Sequence, residues 1–349
     1  MNQVIAKDLE TIVKRIKKEA PALSGRTLLI SGGAGFLGSY IIGTIHTLNK
    51  QFLKKPCRVL CIDNHITGSK NSFIHQLKDP SLKFIKADVA RPLTVKSKVD
   101  YIIHAAGVAS PFYFKKFPME TIEAAVLGVK NLLELSRKQK IKGFLFFSSS
   151  EIYGNPDPKF IPTPETYKGN VSSIGPRACY DESKRLAETI CITYHQLYNV
   201  PIKIVRPFNV YGPGMKLTDY RVIPTFFAKA LAGDSLPVHG GGRQTRTFCY
   251  VADAVVGFLK VLLKGRVGEI YNVGTNQPEM TMVELGEVIS KLFDNSIKVQ
   301  LIPYPKTYPQ DEPARRCPDL TKINSQLGYK TIFNLEKGLK QTLDWYRSQ

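Results

Sequence analysis

Residues 26–39 read Arg-Thr-Leu-Leu-Ile-Ser-Gly-Gly-Ala-Gly-Phe-Leu-Gly-Ser. A short apolar run, Arg26–Ser31, leads directly into glycines at 32, 35 and 38, and a helix-forming stretch follows. Gly32 permits a tight turn, Gly35 lets the backbone approach a pyrophosphate, and Gly38 lets helix and strand pack closely. Phe36 and Leu37 open the helix, whose first N–H groups and positive dipole end suit phosphate oxygens. Any strand-turn-helix can hold glycines, so the context matters. The next apolar run, 57–63, leads into Asp63-Asn64. A carboxylate there accepts hydrogen bonds from an adenosine ribose and repels a 2′-phosphate, which favours NAD over NADP. Asp88, at the end of the run 82–88, is placed to reach the adenine, although a single Asp serves equally as a cap. With it, Val89, Ala105, Ala106, Tyr180 and Lys184 complete the expected cofactor-binding set.

Further apolar runs at 100–106, 143–149 and 202–208 are mostly separated by stretches long enough for a helix. Continuous apolar strands alternating with helices mean a parallel sheet covered on both faces. The expected fold is therefore α/β, a doubly wound (Rossmann) parallel sheet over 25–210. Beyond about 210, Pro, Gly and Arg become frequent and the alternation weakens. That part, 211–349, reads as a smaller substrate-binding lobe. A portion of it, about 244–265, is expected to return to the first domain. Residues 1–24 form a basic amphipathic helix with Ile5, Leu9, Ile12, Val13 and Ile16 on one face. Packing on the main domain suits so short an apolar face better than a membrane surface.

Composition narrows the function classes. At 349 residues and 43% hydrophobic, the chain can bury a sizeable core. No apolar run reaches the roughly 18 residues of a membrane span, and the polar N-terminus does not resemble a secretory signal. The six cysteines are scattered without ligand spacing, so no metal site is expected and free thiols in the cytoplasm fit better. The formal charge of +20 suits an anionic partner. With the lysines dispersed and no nucleic-acid motif visible, that partner is expected to be a small anion.

Tyr180 and Lys184 form a Tyr-x-x-x-Lys pair. Four residues is about one helical turn, so both side chains share a face. A tyrosine is a poor base at neutral pH, and a nearby ammonium together with a positive nicotinamide would stabilise its phenolate. Ser148-Ser149-Ser150-Glu151 closes the fifth run, at the strand end where ligands bind in such sheets. A hydroxyl there can bond the oxygen being oxidised, and elsewhere such serines are commonly caps.

On these motifs the chain resembles an extended short-chain dehydrogenase/reductase of the nucleotide-sugar epimerase/dehydratase/decarboxylase group. The glycine loop, Asp63-Asn64, Ser149-Ser150-Glu151-Ile152-Tyr153-Gly154 and Tyr180/Lys184 match in order over most of 25–345. Gly175-Pro176-Arg177-Ala178-Cys179-Tyr180, Gln244-Thr245-Arg246-Thr247-Phe248 and Arg316-Cys317-Pro318-Asp319 resemble the UDP-glucuronate decarboxylases within that group. The resemblance implies that Tyr180, Lys184, Ser149, Ser150 and Glu151 are catalytic, with Glu151 orienting or protonating the sugar ring near C5. It implies that Asn209, Arg221 and Arg246 hold a nucleotide diphosphate. It further implies that Arg316 meets the sugar carboxylate or the diphosphate, and that the chain pairs as a homodimer through two helices each. A UDP-sugar substrate, decarboxylated through a 4-keto intermediate with NAD recycled, follows from it. A nucleotide-hexose 4,6-dehydratase or a 4-epimerase is the alternative. Departures from the pattern stand at Gly107-Val108, Ala124-Ala125, Gly214 and His239.

Overall fold

A computed structural model of the chain describes residues 1–70, 72–304 and 312–349. Seven parallel strands form the central sheet: β1 (Thr27–Ser31), β2 (Arg58–Asp63), β3 (Leu82–Lys86), β4 (Tyr101–His104), β5 (Gly143–Phe147), β6 (Ile202–Pro207) and β7 (Ile270–Val273). Their order is β7-β6-β5-β4-β1-β2-β3, so the winding reverses between β1 and β4. At this switch point a crevice opens at the carboxyl ends of the strands. Every residue of β1, β4 and β5 is buried, as expected of a sheet covered on both faces. β3 lies at an edge and turns Lys83 and Lys86 outward, which discourages pairing with another chain.

Helices Pro118–Gln139 and Ala178–Tyr198 cover one face, with Val129, Leu132, Leu133, Ala187 and Cys191 in the core. The other face is covered by the glycine-loop helix Phe36–Gln51 and by Val251–Lys264. The N-terminal helix Gln3–Arg15 packs on both of these. Its Ile5, Leu9 and Ile12 are buried, and Asp8 Oδ2 accepts hydrogen bonds from the hydroxyls of Tyr40 (2.9 Å) and Tyr250 (2.8 Å).

After residue 210 the chain makes short pairings. Leu236–His239 runs parallel to Val299–Ile302, and Thr245–Arg246 lies between Met280–Thr281 and Arg315–Arg316. Helix Val251–Lys264 packs on β5 and β6. β7 joins the sheet beside β6, which periodicity alone does not reveal because Asn272 interrupts its apolar run. Asn272 is fully buried, accepts from Tyr153 (2.7 Å) and donates to Thr163 O (2.9 Å) and Asp319 O (3.1 Å). A satisfied polar residue of this kind sits in a core strand at little cost.

Candidate active site

The glycine loop forms a cradle that side chains would fill. Gly32 has φ +74°, and a Cβ there would lie 2.6 Å from Ala106 N; one on Gly38 would lie 2.3 Å from Gly32 O. A Cβ on Gly35 would have Gly32 O as its near neighbour, at 3.2 Å, and this glycine lines the crevice. No side chain caps the helix that follows, and its first intrahelical bond is Ser39 N–H to Gly35 O, 2.9 Å. The preceding N–H groups are therefore left for a ligand. Asp63 Oδ2 accepts from Ala34 N–H (2.9 Å) and Oδ1 from His65 N–H (2.8 Å). The carboxylate thus also braces the glycine loop, which its position in the sequence does not reveal. Asp63, Asn64, Asp88, Val89, Ala105 and Ala106 line one crevice with Gly32 and Gly35. Asp88 in addition caps its own turn at Ala90 N–H, 2.9 Å. These features fit a dinucleotide with its pyrophosphate at the helix start.

A cleft of about 930 Å³ continues from this crevice. Phe36, Leu37, Ser149, Ser150, Glu151, Tyr180, Lys184, Asn209, Arg221, Arg246 and Arg316 all line it. The sequence-predicted catalytic and substrate residues therefore meet in one space. Tyr180 lies in the first turn of helix Ala178–Tyr198 and stacks on Phe114, centroids 5.3 Å apart at 13°. Lys184, one turn on, donates to Phe147 O (2.7 Å), and its ammonium stands 6.0 Å from the Tyr180 ring centre. Burial pushes the Tyr180 phenol up to about 12, against an opposing hydrogen bond with Ser149. Burial also pushes Lys184 down to about 8. In the protein alone desolvation thus outweighs the groups that lower the Tyr180 pKa, the Ser149 hydroxyl and Arg221.

Glu151 is half-buried at the centre of a charge cluster. Arg316 holds it in a bidentate pair, Nη1 to Oε1 at 2.6 Å and Nη2 to Oε2 at 2.7 Å, and Arg177 Nη2 donates to the same Oε2. Burial alone would raise the carboxyl pKa, but the guanidiniums of Arg177 and Arg316 overcome it and bring it down to about 2. Glu151 is therefore an anion, and the expectation that it protonates the sugar ring does not suit this arrangement. Arg246 pairs with Glu312 (2.8 Å) and donates to Pro313 O (2.7 Å). Arg221 makes a bidentate pair with Asp219, and Asn209 donates to Thr247 O (3.0 Å) from a backbone with φ +38°.

Arg177, Asp181 and Glu312 join the site without having stood out as functional residues in the sequence. One signal was available for Arg177. It directly precedes the helix bearing Tyr180, and a cation at a helix N-terminus is unfavourable unless carboxylates compensate. Glu312 carried no such signal, since its partners come from distant segments.

Comparison with known proteins agrees with this geometry. The chain is 41% identical over 316 residues, 90% of its length, to UDP-glucuronic acid decarboxylase 5 of Arabidopsis thaliana, covering 88% of that protein. Its fold matches an epimerase from Methanothermobacter thermautotrophicus with a TM-score of 0.83 at 27% identity, covering 96% of each chain. It also matches the dTDP-glucose 4,6-dehydratase of Streptomyces venezuelae, solved with NAD bound, with a TM-score of 0.79 at 26% identity and 92% and 97% coverage. Residues 28–274 match the family description directly, and the chain belongs to the NAD-dependent epimerase/dehydratase family.

Proposed function

We propose that the chain converts UDP-glucuronate to UDP-xylose through a 4-keto sugar, with NAD regenerated in every turnover. The observation that carries this reading is Arg316, buried in the same cleft as Tyr180 and presenting a guanidinium fork. Such a fork suits a sugar carboxylate, and the decarboxylase relatives support the same substrate.

NAD, when bound, supplies the acceptor for a hydride and afterwards its donor. The chain's own residues do the rest. Tyr180 takes the proton of the sugar 4-hydroxyl, Lys184 holds positive charge beside the phenolate, and Ser149 orients the 4-oxygen. Oxidation at C4 makes the C5-linked carboxylate part of a β-keto acid. The C–C bond electrons then flow into the carbonyl as CO₂ leaves, the resulting enolate takes a proton from solvent at C5, and as hydride returns to C4 Tyr180 gives its proton back to the 4-oxygen. Arg316 fixes that carboxylate, while Asn209, Arg221 and Arg246 hold the diphosphate. Glu151 remains ionised and orients the ring near C5. Ser150 is not an acid, so no proton donor stands there for a departing C6 hydroxyl, and dehydration is disfavoured.

In this reading NAD would be held within residues 25–210 by Gly32, Gly35, Phe36, Leu37, Gly38, Asp63, Asn64, Asp88, Val89, Ala105, Ala106, Tyr180 and Lys184, and the sugar nucleotide would reach across to 211–349. The protein works as a homodimer, paired through helices Pro118–Gln139 and Ala178–Tyr198; exposed Met119, Leu127, Leu186 and Leu197 support that pairing. The six cysteines are unpaired, which suits the cytoplasm. Among the described residues no helix is long and apolar enough to cross a membrane. The test is to incubate the protein with UDP-glucuronate and weigh the product. Loss of CO₂ to a UDP-pentose supports the reading. Unchanged UDP-glucuronate, with water lost instead from a neutral nucleotide hexose, would sink it.

A further inference from the structure

Arg177 has no part in the chemistry above, yet it is buried and faces three carboxylates. Nη2 donates to Glu151, Nη1 to Glu312 (2.8 Å) and Nε to Asp181 (3.4 Å). Glu151 Oε2 is shared between Arg177 and Arg316, whereas Oε1 is bonded by Arg316 at 2.6 Å. A sugar carboxylate arriving at Arg316 therefore competes with Glu151 for the same fork of N–H groups. Glu151 is half-buried, 19% exposed, and a displaced carboxylate enclosed with a sugar in the cleft still needs a counter-charge.

We propose that Arg177 receives Glu151 when a sugar carboxylate displaces it from Arg316, and that this hand-over gives the cleft its preference for a uronate over a neutral sugar. The inference rests on the reading of the cleft as a UDP-glucuronate site. It makes Arg177 a positioning residue, acting through Glu151.

The charged groups facing Glu151 come from three segments: Arg177 and Asp181 beside Tyr180, Arg316 near the C-terminal part, and Arg246 between them. Asp181 Oδ1 is buried and has no hydrogen-bond partner among the described residues. Burial, followed by repulsion from Glu151, pushes its carboxyl up to about 7. Near neutrality Asp181 is then partly protonated, and Arg177 has charge to spare for Glu151. A neutral hexose brings no anion to Arg316, so Glu151 stays where it is and no hand-over is needed.

The test is calorimetric binding of UDP-glucuronate and UDP-glucose to the NAD-loaded protein. Wild type should prefer UDP-glucuronate. Arg177→Gln should lose about tenfold or more in affinity for UDP-glucuronate while UDP-glucose binding stays within about twofold. Arg177→Lys, which keeps the charge and guards against a folding defect, should retain part of the preference. Adding Glu151→Gln to Arg177→Gln should restore uronate binding, since no carboxylate remains to be displaced. Equal weakening of both ligands, or an intact preference in Arg177→Gln, overturns the proposal. A wild type with no preference for the uronate overturns the substrate reading itself and the proposal with it.

Discussion

Tyr180 and Lys184 share one helical face inside the cleft, and burial acts on them in opposite directions. The phenol goes up to about 12 and the ammonium down to about 8. At neutral pH the tyrosine is protonated and the lysine is charged, so the site needs a further positive charge to release the phenolic proton. A bound nicotinamide cation would supply one. Lys184 loses its charge as pH rises through about 8, and turnover should fall on that alkaline side. In Lys184→Met the residual rate should be low and should lack that limb; an unchanged pH–rate profile would contradict the role given to the lysine. Tyr180→Phe should still bind NAD, as read by nicotinamide fluorescence or cofactor content, while turnover drops by about 10²–10⁴-fold. Full rate in that variant would mean that another group is the base. This pair was legible in the sequence because a one-turn spacing needs no tertiary information. The counter-charges of Glu151 were less so, since Arg316 lies 165 residues away.

The strand-turn-helix of residues 27–51 is the element on which the cofactor site depends. A methyl group at position 38 would stand 2.3 Å from Gly32 O, too close for any real Cβ. Gly38→Ala should therefore lose NAD binding while the remaining helices fold, as circular dichroism would show. Retained affinity would mean that the pyrophosphate does not sit on this turn. The N-terminal helix offers a second test. Burial raises Asp8 from 3.8 to about 7, so the folded protein holds a proton that the unfolded chain releases at lower pH. Between those values stability falls as pH rises. Asp8→Asn keeps an acceptor for Tyr40 and Tyr250 without the charge. Its melting temperature should approach the wild-type value near pH 4 and exceed it increasingly towards pH 8; a gap independent of pH would contradict a raised Asp8. The apolar face of this helix was readable from its periodicity. The Asp8 partners were not, because Tyr250 lies 242 residues away and no local spacing encodes such a contact. The strand β7 was hidden for a related reason: buried Asn272 looks polar in the sequence, and its partners are supplied by the fold.

At the scale of the whole molecule, two neighbouring helices, Pro118–Gln139 and Ala178–Tyr198, carry exposed apolar side chains. Leu186 is 50% exposed, with Leu127 at 43% and Met119 at 59%. Covering such side chains favours self-association. Leu186→Asp should shift the protein from dimer to monomer in analytical ultracentrifugation, and a monomeric wild type would contradict the pairing. The Rossmann sheet was legible because continuous buried strands leave a strong pattern. The cleft was legible only as a set of separate motifs, brought together where the sheet order reverses and where chain from beyond residue 210 closes over the strand ends. The proposed reaction joins one hydride cycle to one loss of CO₂. Its most direct test is turnover of UDP-glucuronate carrying deuterium at C4, without added reductant. The expected product is a UDP-pentose that has lost CO₂ and kept the deuterium at C4. Deuterium lost to solvent, or reduced cofactor accumulating in proportion to product, would contradict it.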